Sequence, residues 1–190
     1  MRVLLFATVF TLAACDATTP DLSADARAEG PQLVAQTESD AFAQIRRATA
    51  KYHRVERALA DGYVPASPCV ADVLEDGTEV AAMGYHYVNF GLVEDPAIDA
   101  NAPEILLYEP QRNGTLRLVG VEFMTPAAAW DPAAPPTFEG EAFAAHLTPE
   151  VQHGIPFPHY DLHVWTWRSN PNGMFKPMNP KVSCHYAPTS

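Results

Sequence analysis

The stretch Glu104–Met124, EILLYEPQRNGTLRLVGVEFM, indicates the fold more directly than any other part of the sequence. Two runs rich in apolar residues, 104–108 and 115–124, flank the segment Gln111-Arg112-Asn113-Gly114. An Asn-Gly pair between apolar runs is a strong hairpin signal, because both residues tolerate the positive φ of the favoured tight turns. The stretch therefore predicts two neighbouring antiparallel strands.

A helical pattern precedes this hairpin, at residues 40–61. Its side chains at spacings of three and four are Phe42, Ile45, Thr49, Tyr52, Val55 or Glu56, and Leu59. This spacing forms one apolar stripe along a helix. Thr37 or Ser39 can cap the start, and Gly62 stands where a C-terminal glycine is expected. We therefore expect one amphipathic helix lying across a sheet.

Further short strands are indicated on both sides of the hairpin. Residues 83–90 and 161–167 are rich in aromatic and β-branched residues, and the proline-rich stretch 126–136 predicts a surface excursion. One helix followed by strands indicates an α+β fold. We expect an N-terminal amphipathic helix packed on an antiparallel β-sheet or a partly closed barrel, in a single domain over residues 39–190.

The N-terminus has the three parts of a secretory signal. Met1-Arg2 supplies the charge, residues 3–12 are apolar, and Leu12-Ala13-Ala14-Cys15 resembles the bacterial lipobox, whose cysteine is acylated. The apolar run is shorter than the ~20 residues of a membrane-spanning helix. We predict a signal peptide at 1–14, then lipidated Cys15 and a flexible tether over 15–38. The domain would be anchored to a membrane from outside the cytoplasm; a plain signal peptide is the alternative.

Charge and cysteine content limit the kinds of binding partner and the cellular compartment that fit this sequence. The chain has 12 basic and 23 acidic residues and a formal net charge of −11, which does not favour binding to nucleic acid. Apart from Cys15, the cysteines are Cys69 and Cys184, and an even pair in an exported protein predicts a disulfide. In the chain-entropy model, closing that loop stabilises the fold by roughly 4–5 kcal/mol.

Established catalytic signatures are missing from the sequence. It contains no GxSxG, HExxH, Walker or dinucleotide-binding motif, and no CxxC pair. The candidates for chemistry are therefore isolated polar residues on apolar strands.

Three such residues are His86, Glu122 and His163. Strand alternation puts Glu122 on the same face as Leu116 and Leu118. A carboxylate or imidazole on an apolar face must be paired, shifted in pKa or coordinated, because its desolvation is costly. Two histidines and a glutamate from three strands can ligate a divalent transition metal and leave one position open. We predict these three residues as metal ligands.

Residues around these three form a candidate ligand pocket. Alternation places one set of side chains on a single face: His159, Asp161, His163, Trp165 and Trp167. Asp161 can be a fourth ligand or can orient one, and aromatic rings can form pocket walls. We predict Tyr85, Tyr87, Asp161 and Trp165 as ligand-binding residues. The remaining histidines, His146 among them, show no ligand spacing.

Four stretches resemble a group of bacterial secreted proteins and lipoproteins of unknown function. They are 51–63, the run MGYHYVN at 83–89, the hairpin with LVGVEF at 118–123, and LHVW at 162–165 running on to NPKVSC at 179–184. The resemblance covers about residues 45–186. It implies one domain over nearly the whole folded part and supplies no catalytic residues or substrate.

The sequence leaves the activity open between three classes. We expect a lipid-anchored domain that binds a metal ion or small molecule at His86, Glu122 and His163. A metal-dependent hydrolase or oxidoreductase using the same site is the second hypothesis, with Asp161 or Glu122 as a base. A structural or interaction protein of the cell envelope is the third.

Overall fold

The computed structural model describes residues 39–148 and 155–188. Residues Thr37–Ser190 form one compact unit. The predicted signal peptide, lipidation site and tether lie outside the described residues and stay predictions. Within the described ranges, no helix has the length and apolar character needed to cross a membrane.

Most strands belong to one antiparallel sheet. In chain order the strands are β1 (Val64–Pro65), β2 (Val70–Val73), β3 (Glu79–Val88), β4 (Ile105–Pro110), β5 (Leu116–Pro126), β6 (Thr137–Phe138), β7 (Glu141–Ala142), β8 (Ala144–His146) and β9 (His159–Val164). The sheet order is β1-β3-β4-β5-β9-β8, with β2 also paired to β3, while β6 and β7 form a separate pair. The α+β prediction and the β4–β5 hairpin are confirmed, but the sheet is open, so the alternative of a partly closed barrel is wrong.

The predicted helix over 40–61 is broken into pieces. These are α1 (Asp40–Thr49), a 3₁₀ turn (Ala50–His53) and α2 (Val55–Ala60). The Tyr108 hydroxyl on β4 donates a 2.7 Å hydrogen bond to the Tyr52 carbonyl, which a continuous helix would use internally. Gly62 follows at φ 92°, as expected for a helix stop. Ser39 occupies the N-cap position without a side-chain capping bond.

The two faces of the sheet carry different cores. One face packs against α1 and α2, with a core that includes Ile45, Ala58, Leu106, Val121, Phe123 and Leu162. The opposite face carries Val88, Ile105, Leu107, Met124 and Trp165, covered by C-terminal residues such as Val182. Another short helix, α3 (Phe90–Val93), follows β3 and is capped by the Asn89 side chain.

A β-bulge in β5 reverses part of the predicted strand alternation. Leu107 pairs with Gly120 and Tyr108 pairs with Leu118, so Val119 is the extra residue. As a result Leu116 and Leu118 pack on the helix side with Val121. The prediction that they share a face with Glu122 is therefore wrong.

The predicted disulfide is confirmed. Cys69 and Cys184 are bonded, with their Cα atoms 5.8 Å apart and 115 residues between them in sequence. The C-terminal segment also exchanges two backbone hydrogen bonds with β3, between Asn179 and Ala82. The disulfide and these bonds hold residues 179–184 against the face opposite the helices.

We expect Gly84→Ala to lower the free energy of unfolding by about 2–5 kcal/mol. Gly84 lies within β3 at φ 91°, and a Cβ there would overlap the Tyr108 carbonyl oxygen of the neighbouring strand. Gly77→Ala is the matched control, because Gly77 has φ 85° but nothing within 4 Å of the added Cβ. Urea denaturation of both variants measures the effect; equal losses would show that the close approach of β4 contributes nothing.

Candidate functional site

The structure brings His86, Glu122 and His163 together on the face of the sheet away from the helices. His86 Nε2 lies 3.5 Å from Glu122 Oε2, and His163 Nε2 lies 3.8 Å from the same oxygen. The ligand-type atoms of the three residues are all within 4.8 Å of one another. All three side chains are buried, with at most 4% exposure.

Strand register explains this convergence. Glu122 on β5 pairs directly with His163 on β9, so their side chains are cross-strand neighbours on one face. His86 on β3 pairs with Leu107 on β4, which in turn pairs with Gly120 on β5. Glu122 therefore lies diagonally across β4 from His86, and its longer side chain spans the distance.

The Glu122 carboxylate is the most unusual group of the site. Its exposure is 0%, and neither of its oxygens accepts a hydrogen bond from the described residues. Burial raises the pKa of Glu122 well above its ordinary value, and the negative charge of Asp161 raises it further. A carboxylate in this position must hold a proton or face a cation.

Ser67 orients the His86 ring. The Ser67 hydroxyl lies 2.7 Å from the Pro68 carbonyl, to which it donates, and 3.0 Å from His86 Nδ1. Because the hydroxyl has one hydrogen, Nδ1 then carries the ring proton and donates it to Ser67. In that tautomer the His86 Nε2 lone pair points at the Glu122 carboxylate, the arrangement expected of a histidine that ligates a metal.

Asp161 lies beside this group and joins two further histidines. His146 Nε2 is 3.1 Å and His159 Nε2 is 3.9 Å from Asp161 Oδ2. The sequence shows no ligand spacing for His146, but the structure places its ring beside Asp161. The pairing of β8 with β9 sets His146 opposite His159. A strand of three residues has too short a pattern to be recognised in the sequence.

The four predicted ligand-binding residues separate into two places. Asp161 and Trp165 lie on the same face as His163, with the Trp165 and His163 ring centroids 6.3 Å apart. Tyr85 and Tyr87 pack against the helix-side core instead and line a different cavity of about 330 Å³. The two tyrosines do not form walls of the His86–Glu122–His163 site.

A cavity borders the site. It has a volume of about 330 Å³ and is lined in part by Phe143, His146, Asp161, His163 and Phe175. Both histidine–carboxylate groups therefore contribute side chains to one space large enough for a small ligand.

A second buried carboxylate, Glu104, gives a pH-dependent prediction. Glu104 is 2% exposed, accepts a 3.0 Å hydrogen bond from the Met124 N–H, and has its pKa raised by burial to about 8. Between pH 4.5 and 8 the folded chain keeps this proton while the unfolded chain loses it. The free energy of unfolding therefore falls as pH rises through this window.

We expect Glu104→Gln to remove the fall in the free energy of unfolding between pH 4.5 and 8. The variant should therefore be more stable than the metal-free wild type by on the order of 4 kcal/mol at pH 8, with little difference at pH 4.5. Glutamine keeps an oxygen that can accept the Met124 N–H. Urea denaturation of both proteins with a chelator, from pH 4.5 to 8, measures the difference. Parallel pH profiles would contradict an ionisation of Glu104 linked to folding.

Comparisons with known proteins identify no relative of this chain. No protein-family model, no curated protein and no solved structure matches the chain. The resemblance seen in residues 45–186 stays a prediction, and the chemistry of the site follows from its own side chains.

Proposed function

We propose that this protein binds a divalent transition-metal ion at His86, Glu122 and His163. The observation that carries the proposal is the fully buried Glu122 carboxylate, which accepts no hydrogen bond from the described residues and faces two imidazole nitrogens. A cation held between these three groups would neutralise Glu122 and use the Nε2 lone pairs as ligands. Such an ion would offset the desolvation cost of the carboxylate.

The spacing of the donor atoms supports this proposal. Zinc bonds to imidazole nitrogen and carboxylate oxygen at about 2.0–2.2 Å, which sets tetrahedral ligand atoms roughly 3.3 Å apart. The two distances to Glu122 Oε2, 3.5 and 3.8 Å, need only a small contraction. Two imidazoles and one carboxylate suit zinc, iron or copper better than calcium or magnesium.

The proposed location is the outside of a membrane, with the chain anchored by a lipid on Cys15. The lipobox-like sequence at residues 12–15 supports this. The Cys69–Cys184 disulfide also supports export, because disulfides persist mainly in oxidising compartments.

Elemental analysis of the full chain, purified without a metal-affinity tag, tests metal binding. We expect at least about one equivalent of a transition metal per wild-type chain. In Glu122→Gln and His163→Ala the metal content should fall by about one equivalent. His185→Ala is the control, since His185 is exposed and belongs to neither group of ligand-type side chains. A wild-type protein that stays metal-free when offered zinc, copper, manganese and iron would refute the proposal.

A metal-dependent enzyme is the second candidate function. It is favoured by the cavity of about 330 Å³ that borders His163 and Asp161, because a substrate there would contact the ligands. In this case Asp161 would accept a proton during hydrolysis or oxidation. Turnover that disappears in Glu122→Gln while the variant stays folded would support an enzyme. Stoichiometric metal with no turnover of hydrolase and oxidase substrates would support metal binding without catalysis. A structural role in the cell envelope predicts neither bound metal nor turnover.

A further inference from the structure

A second group of ligand-type side chains lies next to the proposed metal site. His146 on β8 pairs in register with His159 on β9, and their rings stack at 5.1 Å with an interplanar angle of 19°. Asp161 Oδ2 is 3.1 Å from His146 Nε2 and 3.9 Å from His159 Nε2. The three ligand-type atoms lie within 4.8 Å of one another, as they do in the first group.

His159 is held in the orientation and tautomer of a metal ligand. Its Nδ1 lies 2.8 Å from the Phe157 carbonyl oxygen, which can only accept a hydrogen bond. The ring proton of neutral His159 is therefore on Nδ1, and the Nε2 lone pair faces the Asp161 carboxylate. Histidines that bind metals commonly donate their other ring N–H to a backbone carbonyl in this way.

Asp161 supplies a buried negative charge to this group. The side chain is 5% exposed. The carboxylate lies close to the His146 and His159 rings and lines the same cavity as His163 of the first group.

The two groups are adjacent along β9. Asp161 and His163 are two positions apart on β9 and therefore lie on the same face, with their Cα atoms about 6.6–6.8 Å apart. Glu122 pairs with His163 and Met124 pairs with Asp161, so the two carboxylates lie on one face of neighbouring strands. Cations beside each carboxylate would be neighbours, as in two-metal centres, which hold their ions about 3.5–4 Å apart.

We infer that His146, His159 and Asp161 bind a second divalent transition-metal ion beside the first, so that the two groups form a two-metal centre. This inference rests on the proposed function, because it places the second ion next to the ion at Glu122. The cavity is lined by His146 and Asp161 of the second group and by His163 of the first, so a small ligand there would contact residues of both.

Native mass spectrometry of the full chain titrated with Zn²⁺ tests the second site. We expect two ions per wild-type chain, one per chain in His146→Ala and in His159→Ala, and two in the exposed-histidine control His185→Ala. The affinity for the second ion should fall more than about 100-fold when a ligand is removed, since even the loss of an orienting partner costs about 10–100-fold. Circular dichroism of each metal-free variant checks that it is folded.

The outcomes separate the two proposals. A single wild-type ion that is lost in Glu122→Gln and kept in His159→Ala would overturn the second site and leave the first intact. A single wild-type ion that is lost in both Glu122→Gln and His159→Ala would mean one shared site and would also overturn the inference. Two ions that both remain in His159→Ala would overturn it as well. No ion in the wild-type protein would overturn both proposals.

A measurement without variants gives an independent check. Electron paramagnetic resonance of the wild-type chain loaded with Mn²⁺ should show a signal broadened by coupling between two neighbouring ions. A sharp six-line spectrum at every loading ratio would overturn the two-metal centre.

Discussion

The variant Glu122→Gln is expected to lose the part of the Zn²⁺ stabilisation that comes from the ion at His86, Glu122 and His163. An ion that binds only the folded chain stabilises it by about 4 kcal/mol when its free concentration is 1,000 times its Kd. For a domain of this size that corresponds to a rise in Tm of roughly 8–16 °C. Differential scanning calorimetry of both proteins, with a chelator and with saturating Zn²⁺, measures the effect.

The stability of the metal-free variant distinguishes lost binding from a damaged fold. Glu122 is fully buried and accepts no hydrogen bond from the described residues, so a neutral amide should leave the metal-free free energy of unfolding within about 1 kcal/mol of the wild type or raise it. Glu104→Gln is the matched control, because it alters another buried carboxylate, one residue before β4 and outside both ligand groups, and should keep the Zn²⁺ response. An unchanged response to Zn²⁺ in Glu122→Gln would remove this residue as a ligand.

Removal of the disulfide is expected to have an effect of similar size. Cys69 and Cys184 close a loop with a sequence separation of 115. In the chain-entropy model, the double variant Cys69→Ser/Cys184→Ser should lose about 4–5 kcal/mol of unfolding free energy. Urea denaturation of the oxidised wild-type protein and the double variant measures it. A loss below about 1 kcal/mol would show that the unfolded chain is already restricted without the bond.

The disulfide should also affect the metal site through Ser67. Ser67 lies two residues before Cys69, and its hydroxyl contacts the His86 ring at 3.0 Å. Freeing this segment should weaken Zn²⁺ binding by about 10–100-fold, the usual cost of losing a group that orients a ligand. Calorimetric titration of the folded double variant checks this, with Ser67→Ala as the comparison. Equal Zn²⁺ affinity in all three proteins would contradict an orienting role for Ser67.

The parts of the fold and site that follow short-range rules could be predicted from the sequence. The Asn113-Gly114 turn and the apolar runs around it specify the β4–β5 hairpin, because the turn and the strands agree. His86, Glu122 and His163 stand out because each interrupts an apolar strand. Their convergence requires that three strands of one sheet expose the same face, and it also requires the register that sets Glu122 opposite His163, which local sequence does not specify.

Long-range contacts decide the rest, and they leave little trace in local sequence. The bulge at Val119 reverses the face of Leu118 without changing the apolar pattern of β5. The break after His53 depends on a hydrogen bond from Tyr108, more than fifty residues later. His146 reaches Asp161 because the three-residue strand β8 pairs with β9, and Ala144-Ala145-His146 carries no strand period of its own.

The most direct test of the metal site is an anomalous diffraction map from crystals of the Zn²⁺-treated protein, recorded at the zinc absorption edge. We predict a peak within about 2.0–2.2 Å of His86 Nε2, His163 Nε2 and a Glu122 carboxylate oxygen. Zinc peaks confined to exposed side chains, with no peak among these three residues, would contradict the proposed function.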